Sequence, residues 1–307
     1  MTSTITRSHA PGLAGFLRRQ GLGLVVLAAL IAFPFIFGLL SGGGVQAGPT
    51  KFWMGQLIAF FLMAAYAMSY DLLMGYTGIL SFGHAAFFGG GAYAMGLFLK
   101  HIGPAFVKNT SLIVAGVNLT EYVMVLLGFL LALGVSIMLG LLFSVTSARV
   151  KGVYFAMITL AMAEALNILT RATDFVKYTG ADEGLHGIPL PAWLNPTQQR
   201  LQYYFICLAF VVVVYLFLRR VTESPAGSVF IALRENESRV RAIGYNPAVY
   251  RALSFTISAM VAGLAGAMFS IWNASATPTM TSALTTINAL IMTILGGIGT
   301  LVGPILG

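Results

Sequence analysis

Residues 122–146 read YVMVLLGFLLALGVSIMLGLLFSVT, a stretch without a single charge. An α-helix crosses a hydrocarbon core about 30 Å thick with roughly 20 apolar residues, so this stretch has the length and composition of a membrane span. Inside lipid the backbone must satisfy its own hydrogen bonds, which leaves only helices and closed barrels. The alternating ten-residue segments of a barrel are missing. Seven more apolar stretches lie near residues 21–40, 52–74, 78–99, 152–170, 201–218, 252–272 and 284–306. The sequence therefore predicts an all-α polytopic membrane bundle of about eight transmembrane helices, with residues 1–307 forming one domain. A composition of 58% hydrophobic and 8% charged residues excludes a soluble domain of this size, and a mean hydropathy of +0.88 agrees.

The net charge of +8 invites a nucleic-acid partner, but its distribution says otherwise. With the N-terminus cytoplasmic, the inner segments carry Arg7, Arg18, Arg19, Arg149, Lys151, Arg219, Arg220, Arg234, Arg239, Arg241 and Arg251. The outer segments carry only Lys51, Lys100, Lys108, Arg171, Lys177 and Arg200. That excess is the positive-inside bias of membrane topology, and no nucleic acid is needed to explain it. The first span follows Arg7, Arg18 and Arg19 and ends before Val45-Gln46-Ala47, which resembles a cleavage site. Its apolar run of about 19 residues exceeds the roughly 7 to 15 of a signal core, so an uncleaved helix is expected. Cys207 has no partner cysteine, which excludes an internal disulfide framework.

Glycines cluster inside the spans, at Gly75, Gly78, Gly83, Gly89-Gly90-Gly91 and Gly96, and again at Gly296-Gly297, Gly299 and Gly303-Pro304. Small residues let membrane helices pack closely; they also mark helices broken along a pathway. Three consecutive glycines predict an irregularity in the third span. The outer loops near 100–121 and 171–200, the second carrying TGADEGLHGIPLP, have the composition of ordered turns.

Ionisable groups within a span normally face protein or water. Asp71 is expected to snorkel, to cap the turn into the third helix, or to line a pathway. His84 in SFGHAAF, one helical turn from Ser81, fits a neutral histidine bonded to a neighbouring helix or a pathway residue. Glu164, Asn167 and Arg171 share one stripe of the fifth span, which must face the bundle. Asp71, Ser81, His84, Glu164 and Asn167 are therefore the translocation-pathway candidates. No metal site is expected, since no second histidine or cysteine stands at ligand spacing. None of the five lysines follows a glycine, so a Walker A phosphate loop is missing; no GxSxG or HExxH motif occurs either. The expectation is a non-enzyme without a cofactor of its own.

The polar segment 219–251, RRVTESPAGSVFIALRENESRVRAIGYNPAVYR, stands out against this apolar background. Ser224-Pro225 is a helix start. Val229, Leu233, Val240 and Ile243 recur on one face, with Asn236 among them, and Arg234, Glu235, Ser238 and Arg241 fall on the other. Gly244 is placed to stop the helix, and Asn246-Pro247 starts the next. One helix over 224–244 and a sharp elbow make a cytoplasmic hook. Its narrow apolar stripe, free of Trp and diluted by Glu235 and Glu237, favours a protein partner over a lipid surface.

The hook, with ENESRVRAIGYN at its centre, resembles the coupling loop of ABC-importer permeases, and specifically those for branched-chain amino acids and urea. The likeness extends from about residue 57 through YDLLMGYTGILSFGHAAFFGGGAYA, RVKGVYFAMITLAMAEALNILT, TGADEGLHGIP and LGGIGTLVGPILG. It implies a permease subunit of the bacterial plasma (inner) membrane, paired with a second homologous permease subunit. Two ATP-binding cassette subunits would carry the ATP, and an extracytoplasmic solute-binding protein would deliver the solute. It also implies ATPase coupling through Ser224, Leu233, Arg234, Glu237, Arg241 and Gly244. Arg239 and Arg241 depart from the small residues common in the wider motif. The family usually continues with a further helix where this chain ends, so a C-terminal truncation after Gly307 is expected. Branched-chain or related amino acids come first as cargo, urea or short amides second. The rival is an ion-coupled secondary transporter using Asp71, His84 and Glu164.

Overall fold

A computed structural model describes residues 13–110, 113–114, 117–147, 150 and 152–307. Arg7, Arg149 and Lys151, with the side chains of Arg18 and Arg19, lie outside that description, and the part of the topology argument that used them lies outside it too.

The chain forms two compact units, residues 1–55 and 56–307. The first holds α1 (Leu13–Leu40), with Pro34 inside it. Within it Phe33 and Phe37 stack at 5.5 Å, and the following turn is tied by a hydrogen bond of 3.2 Å between the Ser41 and Thr50 hydroxyls. The second helix, α2 (Gly48–Asp71), runs on from there and ends in a π-helical turn, Leu72–Tyr76.

In the second unit the chain continues through α3 (Ala85–Leu97), a π-helical turn at Phe98–Ile102 and α4 (Gly103–Asn109). A two-residue hairpin, β1 (Ile113–Val114) with β2 (Val117–Asn118), leads to α5 (Thr120–Ser147), α6 (Val153–Arg171) and α7 (Val176–Thr179). Then come β3 (Leu185–His186), α8 (Arg200–Thr222), α9 (Pro225–Glu235), α10 (Glu237–Ala242) and α11 (Pro247–Asn273). The described chain closes with β4 (Ser275–Ala276), α12 (Ala283–Gly296) and α13 (Gly303–Leu306). The fold is an all-α polytopic membrane bundle. Leu126, Leu130, Met138 and Leu142 of α5 remain exposed, the outward apolar face expected toward lipid tails, which need no polar covering.

The centre is α11, which packs along α3 and α5. Small residues permit the approach: a Cβ on Gly91 would run into the Gly263 carbonyl, and one on Gly266 would meet the Phe88 carbonyl. The irregularity expected in the third span lies at 77–84, before α3, and the three glycines 89–91 sit inside an unbroken stretch of helix. They provide space, because helical hydrogen bonding needs no side chain while close helix packing needs its absence. Gly263→Leu, whose Cβ would run into Ser136 Oγ on α5, is expected to push α5 and α11 apart, lowering stability by about 1–3 kcal/mol or more. Gly134→Leu, where nothing lies within 4 Å, is the control. Thermal midpoints in detergent measure both.

Six described helices are long and apolar enough to cross a membrane: Gly23–Leu40, Gly48–Tyr76, Thr120–Thr146, Val153–Arg171, Arg200–Thr222 and Pro247–Asn273. The third and eighth stretches, expected as spans at 78–99 and 284–306, are not continuous helices. Residues 77–84 are irregular and α3 starts only at Ala85. The 14 residues of α12 extend only about 21 Å, and the chain then breaks over 297–302, where Gly297, Gly299 and Leu301 all have positive φ. The glycines that composition alone left ambiguous between packing and breakage thus divide: 89–91 pack, 297 and 299 break.

At the end of the bundle away from the hook, β3 pairs antiparallel with β4. Lys100 Nζ donates to the His186 carbonyl at 2.8 Å, and Trp193 stacks on Tyr122 at 4.6 Å. The 171–200 loop is therefore built of ordered turns, as its composition suggested.

Candidate functional site

The hook starts where local chemistry places it. Ser224 accepts a hydrogen bond from the Gly227 N–H at 3.3 Å, Pro225 occupies the first helical position, and α9 runs to Glu235. The single helix expected over 224–244 is in fact two. Asn236, extended at φ −160° and ψ 102°, ends α9 and caps α10, its side-chain oxygen accepting from the Arg239 N–H at 3.1 Å. An Asn side chain competes well for free N–H groups at a helix start, and here that local option outweighs the amphipathic periodicity running through it. Val229, Leu233 and Val240 are buried together with Ala232 and Tyr250 packed against them. Ile243, expected in the same face, is exposed. A groove of about 520 Å³ remains along the hook, lined among others by Ser224, Pro225, Val229, Val240, Ile243 and Tyr245.

The hook ends in a Schellman turn. The Gly244 N–H donates to the Arg241 carbonyl and the Tyr245 N–H to the Val240 carbonyl, with Gly244 at φ +93°. Asn246 then caps α11, accepting from the Ala248 N–H at 3.0 Å. Gly244→Ala is expected to cost about 1–2 kcal/mol through the left-handed backbone alone, since no atom would meet the added Cβ. Hydrogen exchange should report it as faster opening of α10, with α9 unaffected.

Glu237 is the node between the hook's helices and the bundle. It accepts from Arg241 Nη2 at 2.7 Å along its own helix and from Arg251 Nη2 at 2.6 Å on α11. The carboxylate and the Arg251 side chain are each only 14% exposed, so this pair is shielded from the screening that weakens surface ion pairs. Charge-assisted bonds of this kind are short and directional, and they fix the angle between α10 and α11.

Asp71 is fully buried. Its Oδ1 accepts from the Gly299 N–H at 2.6 Å and its Oδ2 from the Leu301 N–H at 3.1 Å. It therefore binds the break after α12 rather than the turn into α3. Gly75 makes that approach possible, because a Cβ there would lie 2.7 Å from the Gly299 Cα. Arg234 crosses from α9 and donates to the Gly75 carbonyl, although periodicity had assigned it to the face away from the packed one.

His84 is also fully buried and caps the start of α3 by position. Its Nε2 lies 2.8 Å from Ser69 Oγ on α2, and that hydroxyl donates to the Tyr66 carbonyl at 2.6 Å. With its proton used there, Ser69 accepts from a His Nε2–H. The ring sits among Tyr66, Tyr70 and Phe87 at 5.1–5.3 Å, a histidine bonded to a neighbouring helix. Ser81 is not one helical turn from it, since 77–84 is not helical; its Oγ accepts from the Gly83 N–H at 3.3 Å.

The α6 stripe does face the bundle. Glu164 accepts from the Ala283 N–H, the first of α12, at 3.3 Å, where a negative charge favours the helix N-terminus. Asn167 donates to the Pro278 carbonyl and to Thr281 Oγ1, both at 2.7 Å. Arg171 pairs with Asp182 at 3.3 Å on the exposed surface. The candidates thus fall in separate places: Asp71 with the hook at one end, His84 and Ser81 at the start of α3, Glu164 and Asn167 at the start of α12. Sequence reasoning missed Thr286, which accepts from the Ala85 N–H at 2.9 Å, and Thr159, which accepts from the Phe82 N–H at 3.2 Å. Both groups are hydroxyls within or beside apolar runs, a faint signal; a threonine run such as 277–286 was the visible hint.

Residues 52–307, which include both glycine-broken segments and the hook, match the family described as branched-chain amino acid transport system / permease component. The chain belongs to this family. The permease is 26% identical over 314 residues to the high-affinity branched-chain amino acid transport system permease protein LivM of Escherichia coli (strain K12), covering 94% of this chain and 66% of the relative. The LivM protein of Salmonella typhimurium matches to the same extent. A probable branched-chain amino acid transport permease protein LivM of Methanocaldococcus jannaschii is 27% identical over 269 residues, covering 82% of this chain and 76% of the relative. The permease thus spans about two thirds of the length of the enteric relatives it matches. No solved structure matches it.

Proposed function

We propose that the permease is the membrane subunit of a binding-protein-dependent importer that moves branched-chain or related amino acids across a bacterial plasma membrane. Its N-terminus is cytoplasmic, and it works with a second homologous permease subunit. ATP is bound and hydrolysed on two cassette subunits, and an extracytoplasmic solute-binding protein presents the cargo. The observation that carries this reading is the hook: two short capped helices, fixed at Glu237 to α11, the central helix of the bundle, and offering an apolar groove. A rigid element of this kind can pass a partner's movement to the bundle, whereas a flexible loop cannot. Nucleotide-driven states would bias the pathway only through their differential affinity for the two conformations.

The test is uptake of labelled leucine into proteoliposomes containing the permease pair, the cassette subunits and the binding protein. Accumulation that requires ATP is the expected result. Uptake by this chain alone, driven by a proton or sodium gradient, overturns it in favour of a secondary transporter. Binding of urea or a short amide, and not leucine, by the cognate receptor would move the substrate assignment.

A further inference from the structure

Arg234 belongs to α9, yet its guanidinium leaves the hook and donates to the carbonyl of Gly75, in the π-helical turn after α2. The same guanidinium lies beside the second break in the fold: a Cβ on Gly299 would sit 3.6 Å from Arg234 Nη1 and 3.4 Å from the Gly75 oxygen. The aliphatic stem is also accommodated, since a Cβ on Gly78 would lie only 2.6 Å from Arg234 Cγ. Gly75, Gly78 and Gly299 come from two segments more than two hundred residues apart, and together they leave the space that one arginine occupies. Asp71 completes the joint, holding Gly299 and Leu301 by their N–H groups, with the Arg234 charge acting on its carboxylate.

Next to this joint is a cavity of about 330 Å³, walled by Thr77, Gly78, Val153, Leu233, Arg234 and Arg251. Its wall thus combines the irregular segment before α3, the start of α6, and two arginines that fasten the hook. Arg251 is held by Glu237 of α10 and Arg234 holds Gly75. Both of the hook's helices thus reach this wall: Arg234 of α9 forms part of it, and Glu237 of α10 holds Arg251 on it. An apolar contact such as Val229 with Val240 can slide; a guanidinium fork bonded to a backbone carbonyl moves that carbonyl with it.

We propose that Arg234 is a positioning residue for transport: it joins α9 to the two turns that interrupt the third and eighth membrane segments, so that displacement of the hook shifts both turns and changes access to the cavity that the first of them, through Thr77 and Gly78, helps to wall. The inference rests on the reading of the hook as the ATPase-docking element. Because packed elements switch between discrete arrangements more readily than they deform, the joint converts a small tilt of α9 into one of two positions of the 77–84 and 297–302 turns.

The experiment uses the assembled transporter in proteoliposomes with Val153→Cys as reporter. Val153 is exposed on the cavity wall, and the native Cys207 is buried. Modification by a membrane-impermeant maleimide is measured without nucleotide and after trapping with ATP and vanadate. With Arg234 present, the two rates are expected to differ by about tenfold, the scale of a typical coupling between sites. Arg234→Ala and Arg234→Gln should bring the rates within about twofold while the cassette subunits still co-purify and hydrolyse ATP, so that ATP spent per leucine rises about tenfold. Arg234→Lys, which keeps the charge without the fork, should recover part of the difference. A state-dependent rate and an ATP cost unchanged in Arg234→Ala and Arg234→Gln overturn the proposal. Loss of cassette association in those variants overturns it as well, since it would make Arg234 a staple of the hook. If the parent complex neither binds nor is driven by the cassette subunits, it is the underlying reading of the hook that fails.

Discussion

Asp71→Ala is expected to cost about 3–5 kcal/mol, the usual penalty for removing one member of a buried charged network. The carboxylate is fully buried and its two oxygens accept from the Gly299 and Leu301 N–H groups. Truncation leaves both donors unsatisfied, at about 1–3 kcal/mol each, and removes the negative charge facing Arg234. The loss falls on the 297–302 break, where Leu301 holds a positive φ of 56°. Asp71→Asn keeps one accepting oxygen but turns an amide N–H toward the remaining donor, so it should fall between the two. The readout is the thermal midpoint in detergent with the yield of monodisperse protein. Wild-type stability in Asp71→Ala would show that the break holds without its carboxylate.

Glu237→Arg should abolish ATP-driven uptake while leaving the protein inserted in the membrane. The wild-type carboxylate draws Arg241 and Arg251 together at 2.7 and 2.6 Å. The substitution places a third guanidinium between two others in a largely buried position, losing the attraction and adding repulsion. A swing of about 3 kcal/mol or more is expected, enough to free α10 from α11. The apolar spans, α11 among them, are unaltered, so insertion should not change. Glu237→Gln removes the charge and retains an acceptor, and should show intermediate uptake. Protease protection reports insertion, and transport assays report coupling. Normal uptake in Glu237→Arg would remove Glu237 from any coupling role.

How well each element could be read from the sequence follows from the range of the forces that set it. The caps at Ser224 and Asn246 and the stop at Gly244 depend on residues no more than a few positions away, and the structure places each as expected. The break at Asn236 is equally local, and its signal was present: an Asn between two helical stretches is a strong cap. Periodicity across it was misleading because Val229, Leu233 and Val240 share one cluster even though they stand on two helices. The long spans were readable for a similar reason, since hydrocarbon thickness acts on each segment separately.

The sequence by itself determined that this is a multi-pass helical membrane protein of the branched-chain amino acid permease family, with a capped polar hook. Length, apolarity and cap chemistry are properties of contiguous residues. Only the tertiary structure decided what the isolated polar groups and glycines do. Asp71 binds Gly299, Glu164 meets Ala283, and Arg234 reaches Gly75 across 159 residues of chain. A carboxylate inside a membrane must find partners, but its sequence neighbours do not reveal which. Nor do they distinguish a glycine that admits a neighbouring helix, such as Gly91, from one that ends its own, such as Gly297. That distinction arises when the helices pack, because the same missing side chain provides room in one place and backbone freedom in the other.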